Sequence, residues 1–215
     1  MNNRDYKNFA PKACYHVFNR GVGKMDIFKD EDDFKFFLYR LKENLFPLKN
    51  MPFAEKNLGG SYIRKSLPAD AFTLLCYCLM PNHFHLLIRQ NGDTEISKLV
   101  SKICTSYSKY FNKKYGRVGH LFQDAFKSVL IKNDSQLAWL SAYIHQNPKV
   151  SGIVESLKKY QWSSYLDYLG VRNGTLCEKK FILDMQSSDG YESFVENSYE
   201  RIRERKDLEK LLIDE

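Results

Sequence analysis

Apolar residues recur along this chain at two distinct spacings. Ala13 to Arg20 is rich in aromatic and β-branched residues and is closed by Gly21 and Gly23, which predicts a strand. Phe34, Phe37, Leu38, Leu41 and Leu45 then fall three and four residues apart, the signature of one helix face, and the acidic run Asp30–Asp33 suits the start of that helix. Ala71 to Leu79 is apolar at nearly every position, as a central strand covered on both faces requires. Met80-Pro81-Asn82 marks a turn and His83 to Arg89 a further strand, so the two are expected to pair as a tight antiparallel hairpin. A helix follows from about Glu95 to Tyr115, with Ile96, Leu99, Val100, Ile103, Tyr107, Tyr110 and Phe111 as its apolar stripe. Phe126 to Lys132 reads as a fourth strand. Ser135 is expected to cap a third helix running to Asn147, where Pro148 opposes simple continuation.

The order β-α-β-β-α-β-α, without internal repeat, predicts an α+β fold: a ferredoxin-like split βαβ antiparallel sheet with helices on one face. Residues 1–150 form the expected core domain. Within it, 46–70 contains Pro47, Pro52, Gly59, Gly60 and Pro68 without periodicity and reads as a surface insertion. Residues 151–215 are expected to form a helical C-terminal extension, ending in a charged helix from about Tyr191 to Leu212 and too small for a core of its own.

Charge sharpens this picture more than composition does. The net charge of +7 is uneven: residues 1–150 hold 23 basic and 13 acidic side chains, and residues 151–215 hold 10 and 13. A basic body suggests a polyanionic partner. No run approaches the roughly 20 apolar residues of a membrane span. Met1 to Lys12 lacks the apolar core of a secretion signal. Five cysteines (14, 76, 78, 104 and 177) form no zinc pattern, and their odd number suits free thiols in a reducing cytoplasm.

Candidate chemistry concentrates at His83-Phe84-His85-Leu86-Leu87-Ile88. Strand alternation sends His83, His85, Leu87 and Arg89 to one face and Phe84, Leu86 and Ile88 to the other. Two imidazoles two residues apart can reach one metal ion; they can equally be sheet-surface histidines with no ligand. Sixty residues on, Tyr143 and Asn147 lie one helical turn apart on a common face. His145, turned away from them, is expected at the surface.

These residues carry a resemblance. His83-Phe84-His85 preceded by Tyr77-Cys78-Leu79-Met80-Pro81-Asn82, and Tyr143-Ile144 with Asn147-Pro148, resemble the single-tyrosine HUH transposases, in particular the REP-associated tyrosine transposases of the IS200-like superfamily. Tyr15-His16-Val17, Asn19-Arg20-Gly21, Tyr115-Gly116-Arg117, Gly119-His120-Leu121 and Trp162-Ser163-Ser164-Tyr165 extend the likeness over about residues 13–170. The resemblance implies a nuclease and strand transferase acting on single-stranded, hairpin-forming DNA. It implies Tyr143 as nucleophile, a divalent ion (Mg²⁺ or Mn²⁺) held by His83, His85 and Asn147, and a 5′-phosphotyrosine intermediate. Asn147 stands where relatives often carry Gln. Phe122-Gln123-Asp124-Ala125 replaces an aromatic-Gln-Gly-Arg run, so an expected arginine is missing.

For the nucleic-acid face, residues 102–127 hold six basic side chains against Asp124 alone. Lys113, Lys114, Arg117 and Lys127, with Arg20 and Arg89, are the candidate DNA contacts, while Tyr107 and Tyr110 belong to the core stripe. A monomer is the expected state, with a dimer exchanging the tyrosine helix as the alternative. Two other functions compete: a non-catalytic ferredoxin-like nucleic-acid-binding protein, and a replication-initiator or relaxase-like HUH nickase.

Overall fold

Strands β1 (Cys14–Arg20), β2 (Phe72–Met80), β3 (His83–Gln90) and β4 (Lys127–Leu130) form one antiparallel sheet in the order β2-β3-β1-β4. The structure is a computed structural model that describes residues 9–47, 66–186 and 190–211, with side chains to residue 205. Most of the insertion expected over 46–70 therefore lies outside the described residues. Helix α1 (Glu31–Leu45) links β1 to β2, and α2 (Ile96–Lys114) links β3 to β4, which is the expected split βαβ arrangement.

Helices α1 and α2 cover one face of the sheet. Asp30 caps α1 through its side chain, which accepts from the Asp33 backbone N–H at 3.2 Å. Phe34, Phe37 and Leu41 of α1 and Leu99, Ile103, Tyr107 and Phe111 of α2 are buried with Val17, Leu74, Leu79, Phe84, Leu86 and Ile88 of the sheet. Tyr107 is fully buried and donates its hydroxyl to the Ile27 carbonyl, consistent with its place on the apolar stripe.

The opposite face is covered by α3 (Asp134–Val150) and the C-terminal extension. A bulge in β2 takes the pairing from Leu74↔Ile88 directly to Cys76↔Leu87. Leu75 and Cys76 both join this second core, with Cys78, Met80 and Leu87. Helix α3 begins one residue before the expected cap: Asn133 takes that role, accepting from Gln136 N–H at 2.8 Å. Fourth strand β4 is shorter than expected because Lys132 N–H already turns to the Gln136 side chain at 2.8 Å.

The extension comprises α4 (Tyr165–Tyr168), α5 (Lys180–Leu183), α6 (Gly190–Asn197) and α7 (Tyr199–Leu211). The single terminal helix expected from Tyr191 is thus two helices, broken at Ser198, whose hydroxyl donates back to the Phe194 carbonyl at 2.8 Å. As expected, the extension has no separate core: Leu157, Tyr165, Tyr168, Ile182, Tyr191 and Val195 bury against β2 and α3. It also satisfies the outer edge of β2. Tyr160 and Tyr168 hydroxyls donate to the Leu79 and Leu75 carbonyls at 2.6 and 2.7 Å, and Ser164 N–H donates to the Tyr77 carbonyl at 3.0 Å. An open strand edge would otherwise invite pairing with another chain.

Candidate active site

Alternation in β3 puts Phe84, Leu86 and Ile88 into the core under α1 and α2 and His83 and His85 on the α3 side. The two imidazoles meet edge to face, with ring centroids 4.9 Å apart and planes at 87°. Each ring is fixed by a neighbour. His83 Nδ1 lies 2.6 Å from Asn82 Oδ1. The Asn82 amide is oriented in turn by Nδ2, which donates to the Lys24 carbonyl at 3.2 Å. An amide oxygen only accepts, so His83 donates from Nδ1 and carries its lone pair on Nε2.

Gly21 makes this support possible. A Cβ there would meet the Met25 carbonyl oxygen at 2.2 Å, so only glycine lets the loop after β1 fold this tightly. The folded loop delivers Ile27 and Phe28 N–H groups to the Pro81 carbonyl at 2.8 and 2.9 Å, which ties down the hairpin turn bearing Asn82.

His85 is held from β1. Its Nδ1 lies 2.8 Å from His16 Nε2, and the two rings stack with centroids 5.0 Å apart. His16 is buried, which pushes its pKa down to about 4 and leaves it neutral at physiological pH. Sequence reasoning used His16 only as part of a resemblance. Its even-numbered place beside Phe18, on the same β1 face, was the available signal.

Helix α3 brings the tyrosine to this point. The Tyr143 ring stands edge-on to His85 and His16, with centroids at 6.1 and 6.3 Å and interplanar angles of 87° and 76°. Asn147 follows one turn later and is fully buried. Its Nδ2 donates to the Tyr143 carbonyl at 2.9 Å and to the Ile144 carbonyl at 3.3 Å. Pro148 sits inside the last turn of α3 and has no N–H to offer Ile144. The Asn147 amide supplies that missing donor, a structural task that the resemblance did not suggest.

His145 corrects an expectation. It is fully buried, not at the surface, because the extension packs on that side of α3. Its Nδ1 meets the Tyr191 hydroxyl at 2.7 Å and its Nε2 the Ser164 hydroxyl at 2.8 Å. Burial first, and the Arg172 charge second, lower its pKa to about 3. Gln146 Nε2 donates to the Val195 carbonyl at 2.7 Å, and Lys149 pairs with Glu196 at 2.6 Å. The segment around the tyrosine is thus tied to the extension at three successive points.

The basic candidates separate by position. Arg20 pairs across the sheet with His83, and Lys127 pairs with Phe18, which itself pairs with His85. Cross-strand partners share a face, so Arg20 and Lys127, both exposed, flank the histidines. Arg89 shares the face farther along β3 and lies over the Phe181 ring at 5.6 Å. Lys113, Lys114 and Arg117 sit at the end of α2, on the other side of the sheet. Lys114 is bound to Asp30 and Asp33 at 2.7 and 2.8 Å, so its charge ties α2 to α1 and is not available to a phosphate. Asp124, at the altered Phe122–Ala125 run, gives its backbone carbonyl to Asn19 Nδ2 at 3.1 Å.

Residues 55–147 match the family described as Transposase IS200 like. That segment is similar to the IS200-like transposases. A Haemophilus influenzae protein, assigned provisionally as a REP-associated tyrosine transposase, is 30% identical over 106 residues, covering 44% of this chain. The chain spans 59% of that relative's length. A solved structure of a REP-associated tyrosine transposase bound to a REP hairpin aligns over 86% of this chain and 96% of that one, with a TM-score of 0.55 at 14% identity. A likeness of that kind establishes the fold. A structure assigned provisionally as a transposase, from Deinococcus radiodurans, aligns over 61% of this chain and 88% of that one at 13% identity, with a TM-score of only 0.38.

Chemically, the site offers a phenol beside two oriented imidazoles, with two cations on its flank. Among the described residues no group of three or more His, Cys, Asp or Glu could hold a metal ion. No helix among the described residues is long and apolar enough to cross a membrane.

Proposed function

We propose that this protein cleaves and rejoins single-stranded, hairpin-forming DNA, with Tyr143 as nucleophile and His83 and His85 as ligands of one divalent cation, Mg²⁺ or Mn²⁺. The observation that carries this reading is the edge-on placement of the Tyr143 ring 6.1 Å from His85, which brings a nucleophile on α3 to an imidazole pair on β3. The IS200-like segment, and the hairpin held by a REP-associated protein of the same fold, support the substrate class.

The donor set suits a cation in one definite respect: the His83 tautomer fixed by Asn82 carries its lone pair on Nε2, the atom a metal requires. Of Asn147, only Oδ1 can ligate a cation, since Nδ2 serves the helix carbonyls. When bound, the cation supplies Lewis-acid polarisation of the scissile phosphate and stabilises charge on the leaving oxygen.

The remaining steps belong to the chain. A free phenol of this type, with a pKa of about 10, is almost wholly protonated at neutral pH, so the attacking hydroxyl gives its proton to solvent as its oxygen bonds to phosphorus. The bond from phosphorus to the DNA 3′ oxygen breaks, and that oxygen takes up a proton from solvent and leaves as a 3′-hydroxyl. The downstream fragment stays on Tyr143 through its 5′-phosphate, as a 5′-phosphotyrosine. The phosphodiester linkage is conserved, so attack by a 3′-hydroxyl rejoins strands without a nucleotide cofactor. Arg20 and Lys127 would hold flanking phosphates on the histidine face. Tyr143 and both histidines come from one chain, so one copy suffices and a monomer is competent.

The test uses a labelled single-stranded oligonucleotide containing a hairpin, with Mn²⁺ or Mg²⁺. The wild-type protein should form an SDS-stable adduct and Tyr143→Phe should form none while still binding DNA. His83→Ala and His85→Ala should abolish cation-stimulated cleavage. Cleavage that proceeds equally in EDTA would remove the cation from the reaction. Binding without an adduct under every condition would favour a module that only binds nucleic acid.

A further inference from the structure

The geometry points to His16 as a positioning residue that fixes the His85 ring in the tautomer protonated on Nδ1, with its lone pair on Nε2. This inference rests on the reading of His85 as a cation ligand. Three observations on the structure carry it.

First, the contact is between two ring nitrogens 2.8 Å apart, so one of them must hold the proton and the other the lone pair. Were His16 the donor, His85 would keep its lone pair toward β1 and present an N–H from Nε2. It would then be useless to a cation. Were His85 the donor, its Nε2 carries the lone pair, as Nε2 of His83 does through Asn82. Both rings of the pair then show the same kind of atom, and the two devices are independent: one comes from the hairpin turn, the other from β1.

Second, the His16 ring is itself locked. It is buried, stacked on Phe18 with centroids 4.8 Å apart and on His85 at 5.0 Å, and edge-on to Tyr143. A ring held on three sides can set the rotation of its partner as well as its tautomer. Third, the register aligns them. His16 sits opposite Leu87 and Phe18 opposite His85, so His16 approaches His85 diagonally across the β1–β3 pair, from the same face. Partners that orient metal-ligating histidines in this way typically change metal affinity 10- to 100-fold when removed.

The experiment begins without metal. Long-range ¹H–¹⁵N correlation spectra of the EDTA-treated protein report which ring nitrogen of each histidine is protonated; His85 is assigned from the spectrum of His85→Gln. The wild type should show His85 protonated on Nδ1. His16→Leu removes the acceptor and should shift His85 toward the Nε2-protonated form common for free imidazole. His16→Gln places an amide oxygen near the position of Nε2 and should restore the wild-type pattern. Mn²⁺ titration followed by electron paramagnetic resonance should show about a 10- to 100-fold weaker affinity for His16→Leu and near-wild-type affinity for His16→Gln.

A wild-type spectrum with His85 protonated on Nε2 overturns the inference, whether or not His16→Leu folds. So does a His85 tautomer that is the same in His16→Leu and wild type. Wild-type protein with the expected tautomer and no Mn²⁺ affinity would instead sink the cation reading, so the two failures are distinguishable.

Discussion

The two faces of the sheet are built on different principles. Under α1 and α2 the packing is mainly apolar, with Phe37, Leu41, Phe84, Leu99, Tyr107 and Phe111 filling the space and buried Asp33, Asn44 and Gln90 as the polar exceptions. Under α3 and the extension, apolar packing is threaded with buried polar side chains: Ser141, His145, Gln146, Asn147, Ser163, Ser164 and Asp167. The first face is a scaffold whose parts are exchangeable by size. The second face is specific, because each buried polar group needs a particular partner. The tyrosine stands on the specific face, and the same network that covers the sheet sets where α3 lies.

The largest effect expected from this contrast is on the apolar face. Phe37→Ala should lower stability to denaturant by about 3–5 kcal/mol, through lost transfer energy and a cavity. The loss should not vary with pH. On the polar face, His145→Leu is volume-tolerant yet leaves the Tyr191 and Ser164 hydroxyls short of a partner, and should cost about 2–4 kcal/mol. Phe37→Ala costing less than His145→Leu would reverse the comparison.

His145 also distinguishes the faces by pH. It is enclosed by the Tyr165, Tyr168 and Tyr191 rings, and burial first and the charge of Arg172 second disfavour its charged form. Its folded pKa of about 3 lies below the ordinary 6.5, so the unfolded chain takes up a proton first as pH falls. The stabilisation it gives is therefore complete above pH 6.5 and is lost progressively toward pH 3, at up to about 1.4 kcal/mol per pH unit. Stability measured from pH 7 to pH 4 should fall less steeply in His145→Leu than in wild type. Parallel curves would mean that His145 is not buried neutral.

A smaller effect tests Asn147. Asn147→Ala removes the donor that stands in for the missing N–H of Pro148 and should cost about 1–2 kcal/mol. Pro148→Ala restores a backbone donor to Ile144, so the Asn147→Ala penalty should shrink in that background. If DNA cleavage stays lost in a double variant of restored stability, Asn147 has a second role beyond the helix. Smallest of all is the contrast between adjacent lysines. Lys113→Ala should change stability by less than about 0.5 kcal/mol. Lys114→Ala strips the ion partner from buried Asp33 and should be measurably less stable.

Much of this was legible in the chain. Periodicity located all four strands and the helices of the apolar face, because a 3.6-residue stripe and a period-2 alternation report directly on burial. His83, His85 and Tyr143 stood out through their resemblance to a transposase family, since their spacing alone equally suited histidines with no ligand and a packing tyrosine. His145 did not, since its partners Ser164 and Tyr191 lie 19 and 46 residues away and no local pattern announces them. The same holds for His16, whose partner is 69 residues distant, and for Asn147, whose amide replaces a donor that only the helix geometry of Pro148 shows to be missing. Lys114 read as a DNA contact because charge density along a chain does not reveal that Asp30 and Asp33 fold against it. Polar specificity is non-local, and the second face is made of it.

The central claim is that Tyr143 is the nucleophile delivered to the histidine pair. Mass spectrometry of the tryptic peptide spanning residues 133–149, taken from protein trapped with hairpin DNA and Mn²⁺, tests it most directly, since Tyr143 is the one tyrosine that peptide contains. Nucleotide attached at Tyr143 is the expected result. Nucleotide attached to any other residue, while Tyr143 remains unmodified, would contradict it.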